Sequence, residues 1–132
     1  MSTLIDIATY LDAQQASLTL GTNLFVGRMP DTPSTCVTLY EYGGTAPDNT
    51  MGGGLPVLQN PSVQITVRAT TYAAAETLIN LCWVSLEGIV DESLSGTRYN
   101  RVSAIQSPFP LERDSQDRII FVQNFNVTRT YQ

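Results

Sequence analysis

The stretch PSVQITVRATTYAAAETLINLCWVSLEG, Pro61 to Gly88, changes its hydrophobic period halfway along. In its first part Val63, Ile65 and Val67 alternate with Ser62, Gln64, Thr66 and Arg68. That period of two belongs to a strand with one covered face. From Tyr72 the spacing lengthens, and Ala75, Leu78, Ile79, Cys82 and Leu86 fall on one helical stripe, widened by Leu81 and Trp83. Thr70 or Thr71 is placed to cap this helix, and Gly88 to stop it. A strand that runs straight into an amphipathic helix predicts a sheet with helices laid against it.

Upstream, Leu4, Ile7, Ala8 and Leu11 fall at helical spacing, with Ile5 beside them, and predict a short helix over 3–16 capped by Thr3. Asp6 and Asp12 lie off that face. Thr22 to Met29 reads as a short strand, closed by the turn residues Pro30, Asp31 and Pro33. Cys36 to Tyr42 alternates, with Val37, Leu39 and Glu41 on one side and Cys36, Thr38, Tyr40 and Tyr42 on the other. Gly43 to Pro61 contains Gly43, Gly44, Gly52, Gly53 and Gly54 with Pro47, Pro56 and Pro61, and predicts a long irregular loop. Such a loop within a compact domain is usually functional, or ordered only by a partner. Downstream, 96–107 and 118–131 read as strands joined by 108–117. The last places Ile119, Phe121, Phe125, Val127 and Tyr131 on one face and Asn124, Asn126, Thr128 and Thr130 on the other. The expected fold class is α+β, one domain over 1–132. It is a mainly antiparallel sheet of four to five strands with both helices on one face, in the order α-β-β-β-α-β-β.

Composition narrows the function. Charged residues make up only 14% of the chain, below the usual ~25%, so Thr, Ser, Asn and Gln supply the polar surface. A surface poor in charge is cheaper to desolvate, which suits a protein that becomes covered in an assembly. The net charge is −5, and all seven bases are arginines, scattered at 28, 68, 98, 101, 113, 118 and 129. No basic patch for nucleic acid is present in that pattern. Cys36 and Cys82 are expected as free, buried thiols. With no basic-then-apolar leader and no apolar run near 18 residues, the expectation is a chain folded in a cytoplasm, without a membrane. The sequon Asn126-Val127-Thr128 is then read as strand.

The chain has no histidine and no lysine. This excludes a Ser-His-Asp or Cys-His relay, an ordinary zinc site, a Walker A loop, a Schiff base and a Ser-Lys dyad. Gly52-Gly53-Gly54 has no Lys-Ser/Thr after it, so it is no phosphate cradle. The carboxylate pairs Asp91 with Glu92 and Asp114 with Asp117 fall in predicted turns, where water keeps such groups ordinary. Asp91-x-Ser93-x-Ser95-Gly96 resembles the start of a calcium loop, but Val102 stands where the bidentate acid is required. No cofactor or metal is expected, and the chain reads as an assembly component, not an enzyme. Arg113, Asp114, Asp117 and Arg118 fit either a charged hairpin tip that guards an edge or reciprocal salt bridges between copies.

The run Pro61-Ser62-Val63-Gln64-Ile65-Thr66-Val67-Arg68-Ala69 before the helix resembles the tail-terminator and minor-capsid family of long-tailed bacteriophages. The likeness extends to Ser107-Pro108-Phe109-Pro110-Leu111 and Asp117-Arg118-Ile119-Ile120-Phe121-Val122-Gln123-Asn124-Phe125-Asn126-Val127. The resemblance covers nearly the whole chain. It implies a virion protein of the head–tail junction, assembled in the host's cytoplasm as a homo-oligomer, a hexameric ring on the finished tail tube. Such a ring ends tube polymerisation, docks to the head-completion or connector protein, and lets DNA pass through its lumen without specific binding. The interface expected under this reading comprises Met51, Gly52, Gly53, Gly54, Leu55 and Val57 of the loop, with Arg113, Asp114, Asp117 and Arg118. The alternatives are another neck or tail component (head-completion or tail-tube protein), and a small-ligand or peptide module. The latter would use Tyr40, Tyr42, Tyr99 and Tyr131 on the sheet face away from the helices.

Overall fold

The computed structural model describes residues 3–49 and 56–130, without the side chains of 44–49 and 56–57. In chain order the elements are α1 (Thr3–Gln14), β1 (Leu24–Val26), β2 (Cys36–Asn49), β3 (Pro56–Ala69), α2 (Tyr72–Glu87), β4 (Val90–Leu94), β5 (Thr97–Ala104), β6 (Phe109–Arg113) and β7 (Ile119–Thr130). The seven strands form one sheet in the order β1-β2-β3-β7-β5-β4, with β6 also on β7. All pairings are antiparallel except β1 with β2.

The helix that follows the diagnostic strand forms as its spacing predicts. The hydroxyl of Thr71 accepts the Ala74 N–H at 3.2 Å, and Gly88 closes the other end in right-handed backbone. Ala75, Ile79, Cys82 and Leu86 of α2 join Leu4, Ile7, Ala8 and Leu11 of α1 in one buried cluster with Val37, Leu39, Val63, Ile65, Val67, Phe121, Phe125 and Val127. Both helices therefore cover the same sheet face. Each fully buried aliphatic side chain contributes about 1.5–3 kcal/mol, so this layer carries most of the fold. Leu81, Trp83 and Ile5 do not belong to it and stay well exposed.

Three expectations are corrected. The sheet has seven strands rather than four or five, because β4 and β6 lack the alternation that announces a strand. In β4 the acids Asp91 and Glu92 sit where a pattern is sought, and β6 contains Pro110. The β4–β5 hairpin turns at Ser95 and Gly96, both at positive φ (51° and 84°), as a two-residue turn that matches strand twist requires. The predicted loop 43–61 is strand over 43–49 and 56–61. Its breaker residues stand at irregularities, with register shifts between Tyr42/Thr45 and Thr45/Asp48, and Pro56 begins its strand. Asp6, expected off the apolar face, is buried against Tyr99.

β7 organises the sheet. One edge pairs with β3 over nearly its full length. The other is divided, β5 taking its C-terminal part and β6 its N-terminal part. Gln123 lies at that division, fully buried, and its amide donates to the Gln106 carbonyl at 2.8 Å, holding the chain where it passes from β5 to β6.

Candidate assembly interface

The register places neutral polar rows on the sheet face away from the helices. Tyr40, Gln64 and Asn124 form one row, and Tyr42, Ser62 and Asn126 the next. Within them Gln64 Nε2 donates to Asn124 Oδ1 at 3.0 Å, and Ser62 Oγ to Asn126 Oδ1 at 3.3 Å. The alternation of β3 and β7 predicts this face directly. Its partners are side-chain amides and hydroxyls already paired with one another, so covering it costs little desolvation.

The lower part of the same face is closed by the segment 28–35, which two buried arginines hold in place. Arg68 donates to the carbonyls of Pro30, Pro33 and Ser34 at 2.7, 2.6 and 3.1 Å. Arg118 donates to the Asp31 carbonyl at 2.8 Å, to its carboxylate at 3.0 Å and to Asp114 at 2.7 Å. The Arg118 hydrogen bond, then that of Gln116, holds the Asp31 carboxyl below the usual range. Asp114 is lowered first by the Arg118 backbone N–H, which approaches to 2.9 Å. A guanidinium suits this task because its fixed fork satisfies several acceptors at once.

The charged tetrad is thus divided. Arg118 and Asp114 are taken up inside the chain, pinning the β6–β7 tip to residue 31. Arg113 and Asp117 form an exposed pair at 3.6 Å. Met51, Gly52, Gly53, Gly54 and Leu55 lie outside the described residues, and Val57 lies in β3. Among the described residues, the tyrosines expected of a ligand module do not gather into one patch. Tyr40 and Tyr42 are neighbours on the polar face, Tyr99 is fully buried in the helix-side core, and Tyr131 is outside the described residues. Asp91 pairs with Arg98 rather than with Glu92. Among the described residues, no three His, Cys, Asp or Glu side chains are grouped to hold a metal, and no helix is long and apolar enough to cross a membrane.

Two exposed apolar features escape a reading by pattern. Leu81, Trp83 and Val84 are exposed along α2, Tyr72 is half-exposed at its start with its ring edge-on to Phe121 at 5.0 Å, and Phe109 and Leu111 stand on β6, where all five residues are exposed. The sequence signal was present in α2, which is apolar nearly all round rather than along one stripe.

Compared with known proteins, the family described as bacteriophage tail terminator protein matches residues 10–131. No curated protein matches the chain. Among solved structures, a chain of the virion of a native gene transfer agent particle is similar in fold. Its TM-score is 0.68 at 18% identity, covering 98% of this chain and 100% of that one.

Proposed function

This chain belongs to the bacteriophage tail terminator family, and from that premise we propose that it forms a closed ring of six copies at the head–tail junction. The ring caps the tail tube, ends its polymerisation and offers its other side to the head-completion or connector protein. The observation that carries this reading is the surface of the isolated chain. Leu81, Trp83 and Val84 of α2 and Phe109 and Leu111 of β6 are exposed, and the sheet's far face carries neutral rows of Tyr, Gln, Ser and Asn. A monomer kept in water has no use for such surfaces, whereas a subunit covers them. The segment that links β2 and β3, which contains Met51 and Leu55 in sequence and leads to Val57 of β3, is the one assigned to contact a neighbour or the tube. Arg113 and Asp117 supply exposed charges at the opposite end of the sheet, level with the start of β2.

Six copies at −5 each give a ring near −30, which offers no net positive charge to grip a passing polyanion by counterion release. The test has two parts. Native mass measurement should give a ring, alone or with tail-tube protein. Tubes assembled without the chain should grow beyond their normal length in electron micrographs, and adding it should stop them. A chain that self-polymerises into filaments would be a tube subunit instead, and one that stays monomeric with tube protein present would remove the ring altogether.

A further inference from the structure

On β2, the Val37 N–H donates to the Asn23 carbonyl at 2.9 Å, and the Leu39 carbonyl accepts the Gly27 N–H at 2.8 Å. Odd residues of β2 therefore direct their backbone groups away from β3 and towards β1. But β1 ends at Val26, opposite Leu39. From Glu41 to Asn49 no strand lies on that side among the described residues, although β2 continues to Asn49. A long strand edge with unpaired N–H and C=O groups is a site for strand addition. At the other side of the sheet, among the described residues, β6 pairs with β7 alone, and all five of its residues are exposed.

We propose that β6 of one copy completes the β2 edge of the next, so that the sheets of neighbouring copies join around the ring. This rests on the ring reading above. Three observations select β6 and a second copy of the chain. The first is direction: β2 and β7 run one way, β3 and β6 the other. Copies that share a direction in a ring bring β6 antiparallel to β2, the more stable pairing, whereas β4 would arrive parallel. The second is charge: Arg113 at the end of β6 meets Glu41, while β4 would set Asp91 and Glu92 against it. Also, β4 lies beside α1, where Glu92 acts on Tyr10.

The third is register. Arg113 lies level with residue 35, just before its own β2, through Ile119 and Ala69. Setting it opposite Glu41 of the next copy staggers the copies by about six residues, roughly 20 Å along the strand. Crossing β2, β3, β7 and β6 covers about 19 Å. The strands then tilt by about 45°, the upper end of the ~35–45° that a closed barrel uses. A partner of another kind would satisfy one edge and leave the other open on every copy.

The test is a cysteine pair, Glu41→Cys with Arg113→Cys, in the full chain. Cys36 and Cys82 are fully buried and do not compete. Mild oxidation of the ring should give a ladder of linked copies up to the closed ring. A ring of normal mass in which this pair stays unlinked, or in which Glu41→Cys with Glu92→Cys links instead, overturns the proposal but leaves the ring. No ring at all overturns both. The charge exchange is a second measure. Glu41→Arg and Arg113→Glu should each weaken assembly at least tenfold with unfolding still cooperative, and the double variant should restore it. The Glu41 amide should exchange at least tenfold more slowly in the ring. Protection that appears only with tail-tube protein, and without the 41–113 link, assigns the edge to that protein and refutes β6.

Discussion

Replacing Tyr99 by Phe is expected to destabilise the chain by about 2–4 kcal/mol, far more than the loss of one oxygen atom's packing would do. Tyr99 is fully buried on β5, and its hydroxyl donates to Asp6 Oδ2 of α1 at 2.5 Å across a separation of 93 residues. Asp6 is itself only 4% exposed. A hydrogen bond to an ionised group is worth about 1.5–3 kcal/mol, and its removal leaves a buried carboxylate oxygen without that donor, so the desolvation cost comes on top. The volume lost is smaller than a methylene, which bounds the cavity contribution near 1 kcal/mol. Urea unfolding followed by circular dichroism, with m about 1–2 kcal/mol/M, should show the midpoint fall by roughly 1–4 M at unchanged m. Adding Asp6→Leu to Tyr99→Phe should cost less than the two single changes summed, since no charge is then stranded. Alkali provides an independent reading. Burial first, then the Asp6 hydrogen bond, pushes the Tyr99 hydroxyl up to about 12. The unfolded chain releases this proton near pH 10 and the folded chain does not. The contribution is therefore complete below pH 10 and is lost as pH rises towards 12, by about 2–3 kcal/mol. Tyr99→Phe should lack that part of the alkaline slope. A loss under about 0.5 kcal/mol, or the same slope in both proteins, would refute the account.

The 28–35 segment should open in acid before the helices do. Asp31 and Asp114 have lowered carboxyl pKa values, so their contribution is present above the ordinary carboxylate range and disappears as pH falls through the lower folded values. Amide exchange localised to 28–35 should rise first on acidification, and Arg118→Ala should produce the same local rise at neutral pH. Neither thiol should react with an aromatic disulfide reagent at pH 8 until urea is added, because burial pushes Cys82 up to about 12 and raises Cys36 as well. Rapid native labelling of either would show that the core opens. Gly96→Val places a branched side chain at φ 84° and should lower stability by about 1–3 kcal/mol in thermal unfolding, without affecting α2.

The pattern of residues 61–88 was enough to recognise β3 and α2, since both elements declare themselves by local period and both caps are local. Free, buried cysteines were also legible, since Cys36 lies in an alternating strand and Cys82 on the buried stripe of α2. β4 and β6 were not, because they are edge strands that bury almost nothing and so carry no alternation. The glycines and prolines of 43–61 were read as breaking structure, whereas among the described residues Gly43, Gly44 and Pro47 fall at register shifts of a two-stranded extension and Pro56 begins its strand.

What the amino-acid sequence determined by itself was the layer structure and the absence of histidine- and lysine-dependent chemistry. Hydrophobic period and residue type are properties of short windows, and they need no partner. Only the tertiary structure decided which charges are available to a neighbour. Arg118 and Asp114 stand beside Arg113 and Asp117 in the chain, but residue 31, 87 positions away, takes up Arg118, which in turn holds Asp114. Only the structure showed that β2 runs on past its neighbour β1, since an open edge is a relation between strands and leaves no mark on either one alone.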